Sequence, residues 1–285
     1  GDINVDTAID YSGSVGSLTL NAYHDINVNT SGSINNVGGF AFPVTMNAGN
    51  DINLDGSINV PSGSLMGTLT ALNDIKLNGS VNNTGMSASS LTLTATNGQI
   101  FGAGSLQGNQ QGDLNATLNA RTGINLTGAN QVKNISLSTA TGSAAPIFFN
   151  SALDSASGEV QVTANSSGAF AFTHGATSGD LRVNGAGITA ASGDITIEVQ
   201  GVDRTIYVDS PVNATNGSVH YVADHFSASA NTIANAAGKH VEIKPYTPGI
   251  PIIIDSTVPI AGTLLVDPTH LGTISSPLLK IGNSN

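Results

Sequence analysis

A five-residue phrase that returns about every 24 residues is the strongest constraint on how this chain can fold. It consists of a turn residue, Asp, Ile, a polar residue and an aliphatic residue. Its isoleucines are Ile3, Ile26, Ile52, Ile75, Ile100 and Ile124, which are 23, 26, 23, 25 and 24 positions apart. A fixed period in this range indicates stacked supersecondary units, and the apolar–polar alternation indicates strands. We therefore predict an all-β parallel β-helix with these isoleucines in its core.

Two other phrases recur in step with the first one. A Ser/Thr-Leu-Thr-Leu-x-Ala phrase, or a close variant, precedes it and ends at Ala22, Ala48, Ala71, Ala95 and Ala120. Gly-Ser-aliphatic phrases follow it at Gly32, Gly56 and Gly79. Weaker copies of the first phrase begin at Gly98, Gly123, Gly193 and Gly217. Two or three short strands per turn, stacked at the strand spacing, predict about twelve turns in a rod roughly 55–60 Å long.

The whole chain, residues 1–285, is expected to form a single solenoid segment, because a stack of repeats has no natural domain boundary. The periodicity blurs between residues 144 and 187, where we predict loop insertions. Six of the ten prolines lie between Pro245 and Pro277. Since proline is barred from central strands, residues 245–277 are predicted to include an irregular segment.

Composition excludes several classes of function. The net charge of −11 argues against a nucleic-acid or anionic-membrane partner. The longest apolar run, at residues 250–254, is interrupted by Pro251 and too short to span a membrane. Charged residues make up only 9% of the chain, so Ser, Thr, Asn and Gly must form most of the surface. There is no cysteine and therefore no disulfide or thiol chemistry.

The C-terminal part of the chain carries a resemblance to a known family. Its phrases are Val241-Glu242-Ile243-Lys244, Pro251-Ile252-Ile253-Ile254, Gly262-Thr263-Leu264-Leu265-Val266-Asp267, Leu271-Gly272-Thr273-Ile274 and Leu278-Leu279-Lys280-Ile281-Gly282. This series resembles a segment of filamentous-haemagglutinin-like proteins, the large exoproteins of two-partner secretion in Gram-negative bacteria. In that family a G-x-I-x-V phrase and an S/T-L-T-L-x-A phrase follow, as in Gly1-Asp2-Ile3-Asn4-Val5 and Ser17-Leu18-Thr19-Leu20-Asn21-Ala22 here.

The resemblance implies a right-handed β-helix in a secreted or cell-surface protein. It also implies export of the parent protein through an outer-membrane secretion partner, and a role in adhesion or as a stalk. Because the last phrase of this chain leads into its first, we expect the rod to continue, covalently or by end-to-end stacking into a filament.

Because β-helices also serve as polysaccharide lyases and hydrolases, catalytic groups are a possibility that the sequence must be weighed against. Its three glutamates (Glu159, Glu198, Glu242) and three arginines (Arg121, Arg182, Arg204) are well separated, whereas acid–base sites cluster carboxylates. His220 and His225 flank Asp224, which suggests a metal or general-base site. The alternative, which we favour, is that both histidines are solvated while Val219, Tyr221 and Phe226 point inward. No catalytic, cofactor-binding or metal-binding residue is predicted.

Two rows of repeated polar residues are expected on the surface. Asp2, Asp25, Asp51 and Asp74 are interpreted as turn residues, with a calcium-binding row as the alternative. Asn4, Asn27, Asn53 and Asn125 occupy the next outward position, where Lys76 breaks the series, and this pattern favours a solvent-facing stripe or an amide ladder. Nine Asn-x-Ser/Thr sequons leave glycosylation open; they are at Asn29, Asn78, Asn82, Asn115, Asn125, Asn134, Asn165, Asn213 and Asn216.

The function expected from the sequence is that of a structural and adhesive repeat segment of a large secreted surface protein. It would have no catalytic activity, and its ligands would be host or cell-surface glycans. Two alternatives stay open. One is a carbohydrate-active β-helix enzyme, and the other is the inert stalk of a contact-dependent toxin-delivery exoprotein.

Overall fold

The computed structural model describes residues 1–13, 16–85, 87–108, 114–140, 144–151, 160–175, 179–229, 239–255 and 261–282. Within this part of the chain the fold is a β-solenoid built almost entirely of parallel strands. The predicted all-β parallel β-helix is therefore confirmed. The contacts between residues divide the chain into two compact units, 1–140 and 141–285, and each is described by itself.

The first unit contains seventeen short strands among its described residues. They are β1 Ile3–Val5, β2 Ala8–Tyr11, β3 Leu18–Ala22, β4 Ile26–Val28, β5 Ser33–Asn36, β6 Ala41–Ala48, β7 Ile52–Leu54, β8 Ser57–Val60, β9 Ser64–Ala71, β10 Ile75–Leu77, β11 Ser80–Asn83, β12 Ser89–Ala95, β13 Gln99–Gly102, β14 Ser105–Gln107, β15 Leu114–Ala120, β16 Gly123–Asn130 and β17 Asn134–Thr139.

These strands form three parallel stacks, one for each recurring phrase. The isoleucine stack consists of β1, β4, β7, β10, β13 and β16, and the leucine stack of β3, β6, β9, β12, β15 and β17. The third stack, β2, β5, β8, β11 and β14, follows the Gly-Ser corner. In the isoleucine stack Ile3, Ile26, Ile52, Ile75, Ile100 and Ile124 pair in unbroken register. The period read from the sequence is therefore the length of one coil.

The glycines at the third-stack corner are required by close backbone contact. A Cβ added at Gly79 would lie 1.7 Å from the carbonyl oxygen of Gly56, one coil away. A Cβ at Gly104 would lie 2.0 Å from the carbonyl oxygen of Gly79. No side chain fits at such distances, so the recurrence of Gly at this corner has a packing cause.

The second unit contains thirteen strands and one short helix among its described residues. They are β18 Ile147–Ser151, β19 Val160–Ser166, β20 Phe170–His174, β21 Leu181–Ala190, β22 Ile195–Val199, β23 Thr205–Val208, β24 Val212–Ala214, β25 Val219–Val222, β26 His225–Ala228, β27 His240–Lys244, β28 Ile252–Ile254, β29 Leu264–Val266, α1 Pro268–Leu271 and β30 Leu278–Ile281.

The same architecture recurs in this unit with different core residues. One parallel stack runs β18, β20, β22, β25, β27 and β30, and another runs β19, β21, β23 and β26, with β24 also paired to β21. Phe149, Phe170 and Phe172 occupy buried inward positions, and the rings of Phe149 and Phe172 stack 5.6 Å apart. Phenylalanine thus replaces isoleucine where the sequence period blurs.

The ranges predicted to be irregular contain regular elements as well. Strands β18 to β20 and most of β21 lie in the range 144–187, where loop insertions are predicted, while residues 152–159 and 176–178 fall outside the described residues. In the described part of residues 245–277, β28 and β29 pair with each other outside the main stacks, and α1 follows them. The solenoid has about nine turns and not the predicted twelve.

Aliphatic side chains fill the interior of each unit. Ile26, Ile52, Ile75 and Ile100 are fully buried, whereas Ile3 in the first coil is half-buried. Each fully buried aliphatic side chain contributes roughly 1.5–3 kcal/mol. In the part of the chain that the structure describes, no helix has the length and apolar character needed to cross a membrane.

We predict that Ile52→Ala lowers the free energy of unfolding by about 2–5 kcal/mol, because it empties a buried position between Ile26 and Ile75. The matched control is Ile254→Ala, since that side chain is 55% exposed and should cost less than about 1 kcal/mol. Urea denaturation followed by circular dichroism measures both. Equal losses in the two variants would contradict the assigned core.

Candidate functional site

The aspartate row holds successive coils together. The backbone N–H of Asp25 donates to Oδ1 of Asp2 (3.3 Å), that of Asp51 to Asp25 (3.1 Å), that of Asp74 to Asp51 (3.0 Å) and that of Gln99 to Asp74 (2.8 Å). The weaker copy of the phrase in the second unit does the same, since the N–H of Ser218 donates to Asp194 at 2.8 Å. The aspartates lie at the entry to their strands as predicted, but their carboxylates bond the next coil and not their own turn.

The electrostatics of this row agree with that role. The hydrogen bond from the Ser218 N–H lowers the pKa of Asp194, and the nearby Lys239 ammonium, 3.6 Å away, lowers it further. Burial tends to raise the pKa of Asp25, but hydrogen bonds from the Asp51 N–H and the Asn50 amide leave it below its usual value. Both carboxylates are consequently ionised at neutral pH and are engaged in binding the next coil.

The amide ladder is confirmed over three coils of the first unit. Asn27 Nδ2 donates to Asn4 Oδ1 at 2.8 Å, and Asn53 Nδ2 donates to Asn27 Oδ1 at 2.9 Å. Lys76, which pairs with Asn53 in register, ends the ladder as predicted. Its Nζ lies 3.6 Å from Oδ1 of Asp55. Asn125 does not join it, because its neighbour in register is Phe101.

A second, longer ladder was not expected from the sequence. Asn35 donates to Asp10 at 2.7 Å, Asn59 to Asn35 at 2.8 Å, and Asn82 to Asn59 at 2.9 Å. These residues lie on the third stack, at the polar position after each Gly-Ser-aliphatic phrase. In the sequence an asparagine follows the inward aliphatic residue of each copy, at Asn35, Asn59 and Asn82. This recurrence could have predicted the ladder.

A polar groove follows the glycine corner across four coils. Its volume is about 420 Å³, and its lining consists of small or polar residues: Thr30, Asp55, Gly56, Ser57, Asn78, Gly79, Ser80, Ala103, Gly104 and Ser105. Asn78 Nδ2 donates to Asp55 Oδ1 at 2.7 Å within this lining. The groove offers carboxylate, amide and hydroxyl groups, while its glycines pack against the backbone of the neighbouring coil.

The pair of histidines around Asp224 does not form a site. Asp224 is buried and accepts hydrogen bonds from the Asp203 N–H (3.2 Å), the Thr247 N–H (2.7 Å) and the Thr247 hydroxyl (2.6 Å). His225 is also buried, so the prediction that it is solvated is wrong. The cause is that β26 enters its stack at His225, which pairs with Thr205 in register. The predicted inward positions of Val219, Tyr221 and Phe226 are confirmed.

His220 meets different partners, on the next coil. Its Nδ1 lies 2.9 Å from Oε2 of Glu242, and its ring lies edge-on to the ring of His240, with centroids 5.2 Å apart. One nitrogen or oxygen from each of the three residues falls within 4.8 Å of the others. Only the pairing of β25 with β27 brings the three residues together, so the sequence does not predict this cluster.

Charge in this cluster is balanced by neighbouring residues. Burial tends to raise the pKa of Glu242, but the hydrogen bond with His220 and the charge of Lys244 leave it below its usual value. Burial lowers the pKa of His240, as does the Lys280 ammonium. The cluster at neutral pH is therefore an ionised carboxylate beside a neutral imidazole of His240.

A second group of candidate ligands, Asp2, His24 and Asp25, is found in the first unit. His24 Nδ1 lies 3.1 Å from Asp2 and 3.4 Å from Asp25, and both His24 and Asp2 are exposed. Because Asp2 and Asp25 also accept the backbone bonds described above, this group is a hydrogen-bonded network on the surface.

Comparisons of the chain with protein-family models, with curated proteins and with solved structures return no match.

His174 provides a pH test of the interior of the second unit. Burial, and secondarily the charge of Arg204, lowers the pKa of His174 from 6.5 to about 4. Above pH 6.5 the imidazole is neutral in both states and stability is complete. As the pH falls toward 4 the unfolded chain takes up the proton first, so stability is lost progressively. We predict that His174 accounts for a loss of roughly 2–3 kcal/mol between pH 7 and pH 4.5.

The measurement is the free energy of unfolding of the native chain and of His174→Gln at pH 7 and pH 4.5. His174→Gln should reduce the loss on acidification. An unchanged loss in His174→Gln would contradict the assigned burial effect.

Proposed function

We propose that this chain is a structural and adhesive segment of a large secreted surface protein, with no catalytic role. The proposal rests on the contacts that the repeated polar side chains make between coils. The aspartates bind backbone N–H groups of the next coil, and the asparagines bind one another along the stacks. These groups stabilise a rod and cover it with amides and hydroxyls.

The polar groove at the glycine corner is the proposed adhesive surface. Sugar hydroxyl groups both donate and accept hydrogen bonds, and the groove offers the Asp55 carboxylate, the Asn78 amide and the Ser57 and Ser80 hydroxyls. It spans four coils, which suits an extended glycan chain. Host or cell-surface glycans are therefore the proposed ligands.

A neighbouring coil is proposed as a further partner. Strands β1, β2 and β3 are terminal strands of their stacks among the described residues. The inward residues Ile3, Ile9 and Leu18 are only half-buried, unlike Ile26 and Ile34 in the next coil. An open strand edge above uncovered aliphatic residues favours addition of another strand. We propose that another coil covers this edge, from the same polypeptide or from a second copy.

Secretion to the cell surface through an outer-membrane partner is also part of the proposal, and it rests on the family resemblance. A carbohydrate-active enzyme has less support, since glycosidases need two carboxylates flanking the substrate. Among the described glutamates, Glu198 accepts a hydrogen bond from the Gln200 side-chain amide at 2.7 Å, and Glu242 lies 2.9 Å from His220. Each carboxylate is thus engaged by a neighbouring side chain and not paired with the other. The inert-stalk alternative differs from our proposal in the absence of glycan binding.

The test is a screen of the full chain against acidic and neutral polysaccharides, reading both binding and release of new chain ends. We predict binding without turnover. Thr30→Trp places a bulky ring in the groove and should weaken glycan binding at least about tenfold, a loss of about 1.4 kcal/mol. Thr215→Trp is the matched control, because Thr215 is exposed in the other unit.

Two outcomes would overturn this proposal. Release of new chain ends that is abolished by Asp→Ala changes would establish an enzyme. Absence of binding to every polysaccharide, or equal binding by the two Trp variants, would remove the adhesive role of the groove.

A further inference from the structure

The cluster of His220, His240 and Glu242 plays no part in the proposed adhesive role. His240 and Glu242 are two residues apart on β27, so both side chains lie on the outer face of that strand. His220 on β25 lies opposite Glu242 in the parallel register. This placement repeats nowhere in the regular phrases, and it puts two imidazoles and one carboxylate on adjacent rigid strands.

We propose that these three residues bind a divalent transition-metal ion of the zinc, cobalt or nickel class. The ligand atoms already lie within 4.8 Å of one another, and His220 Nδ1 is 2.9 Å from Glu242 Oε2. Two imidazoles with one carboxylate suit these metals, whereas calcium and magnesium prefer oxygen ligands alone. Three protein ligands leave at least one coordination position for water or for a group of a bound partner.

The surroundings of the cluster orient its members. Ser218 precedes β25 and lies opposite His240, with its Oγ 3.2 Å from His240 Nδ1. A metal-binding histidine usually donates its other ring N–H to a neighbouring acceptor. If the Ser218 hydroxyl accepts the Nδ1 proton of His240, Nε2 of this ring can bind a metal. The Glu242 side chain is only 9% exposed, so a cation beside it replaces solvation that the carboxylate has lost.

Lysine ammonium groups compete with a metal for this carboxylate. Lys244 Nζ lies 3.9 Å from Glu242 Oε2, and Lys280 pairs with Glu242 in register. The positive charges of Lys244 and Lys280 oppose the binding of a divalent cation at Glu242. Removal of the Lys244 charge should therefore strengthen metal binding, which a purely structural histidine–glutamate pair would not explain.

The experiment titrates the tag-free full chain with Zn²⁺ by calorimetry and with Co²⁺ by visible absorption. We expect one strong site, with Co²⁺ absorption bands of nitrogen and oxygen ligation. His240→Ala and Glu242→Gln should each weaken binding at least about tenfold, in line with the loss of one ligand. Lys244→Gln should strengthen it about threefold or more, and circular dichroism checks that each variant is folded.

His24→Ala is the matched control, because it removes the histidine of the other candidate group, in the first unit. The proposal expects this variant to bind as the native chain does. It is overturned if Zn²⁺ and Co²⁺ do not bind, if binding is lost in His24→Ala, or if Lys244→Gln and His240→Ala both leave the affinity unchanged.

Discussion

Parallel, in-register pairing of equivalent residues on successive coils is the constraint on which the rest of this structure depends. Ile26 lies on Ile52 and Ile52 on Ile75 inside the first unit, while Asn27 lies on Asn53 outside it. A slip of one residue would exchange the two faces and bury the amides. The register thus determines the core, the amide ladders and the aspartate bonds together.

The regular part of the fold could be predicted because each coil repeats its own sequence. The isoleucine stack, the leucine stack and the amide ladder through Asn4, Asn27 and Asn53 all follow from the phrase positions. The second unit was harder to predict, because Phe149, Phe170 and Phe172 take the place of the expected aliphatic residues. Large rings fill an inward position as well as isoleucine does, but they conceal the period.

The candidate metal cluster could not be predicted from the sequence for a different reason. His220 and Glu242 are 22 positions apart, and their pairing depends on the register of β25 with β27. The solvated position predicted for His225 followed from alternation with the inward Phe226, whereas both residues are buried at the start of β26. Features that depend on one pairing between coils, and not on the repeat, become visible only in the folded chain.

An aspartate of one coil binds the backbone N–H of the next coil. Amide hydrogen exchange tests this bond most directly. In Asp51→Ala the Asp74 N–H loses its acceptor, so its exchange should accelerate roughly 10- to 100-fold, as expected for a charge-assisted bond of about 1.5–3 kcal/mol. Asp51→Asn keeps an acceptor oxygen and should change it far less. The Gln99 N–H, which donates to Asp74, is an internal control in both variants. Unchanged exchange of the Asp74 amide in Asp51→Ala would contradict the account.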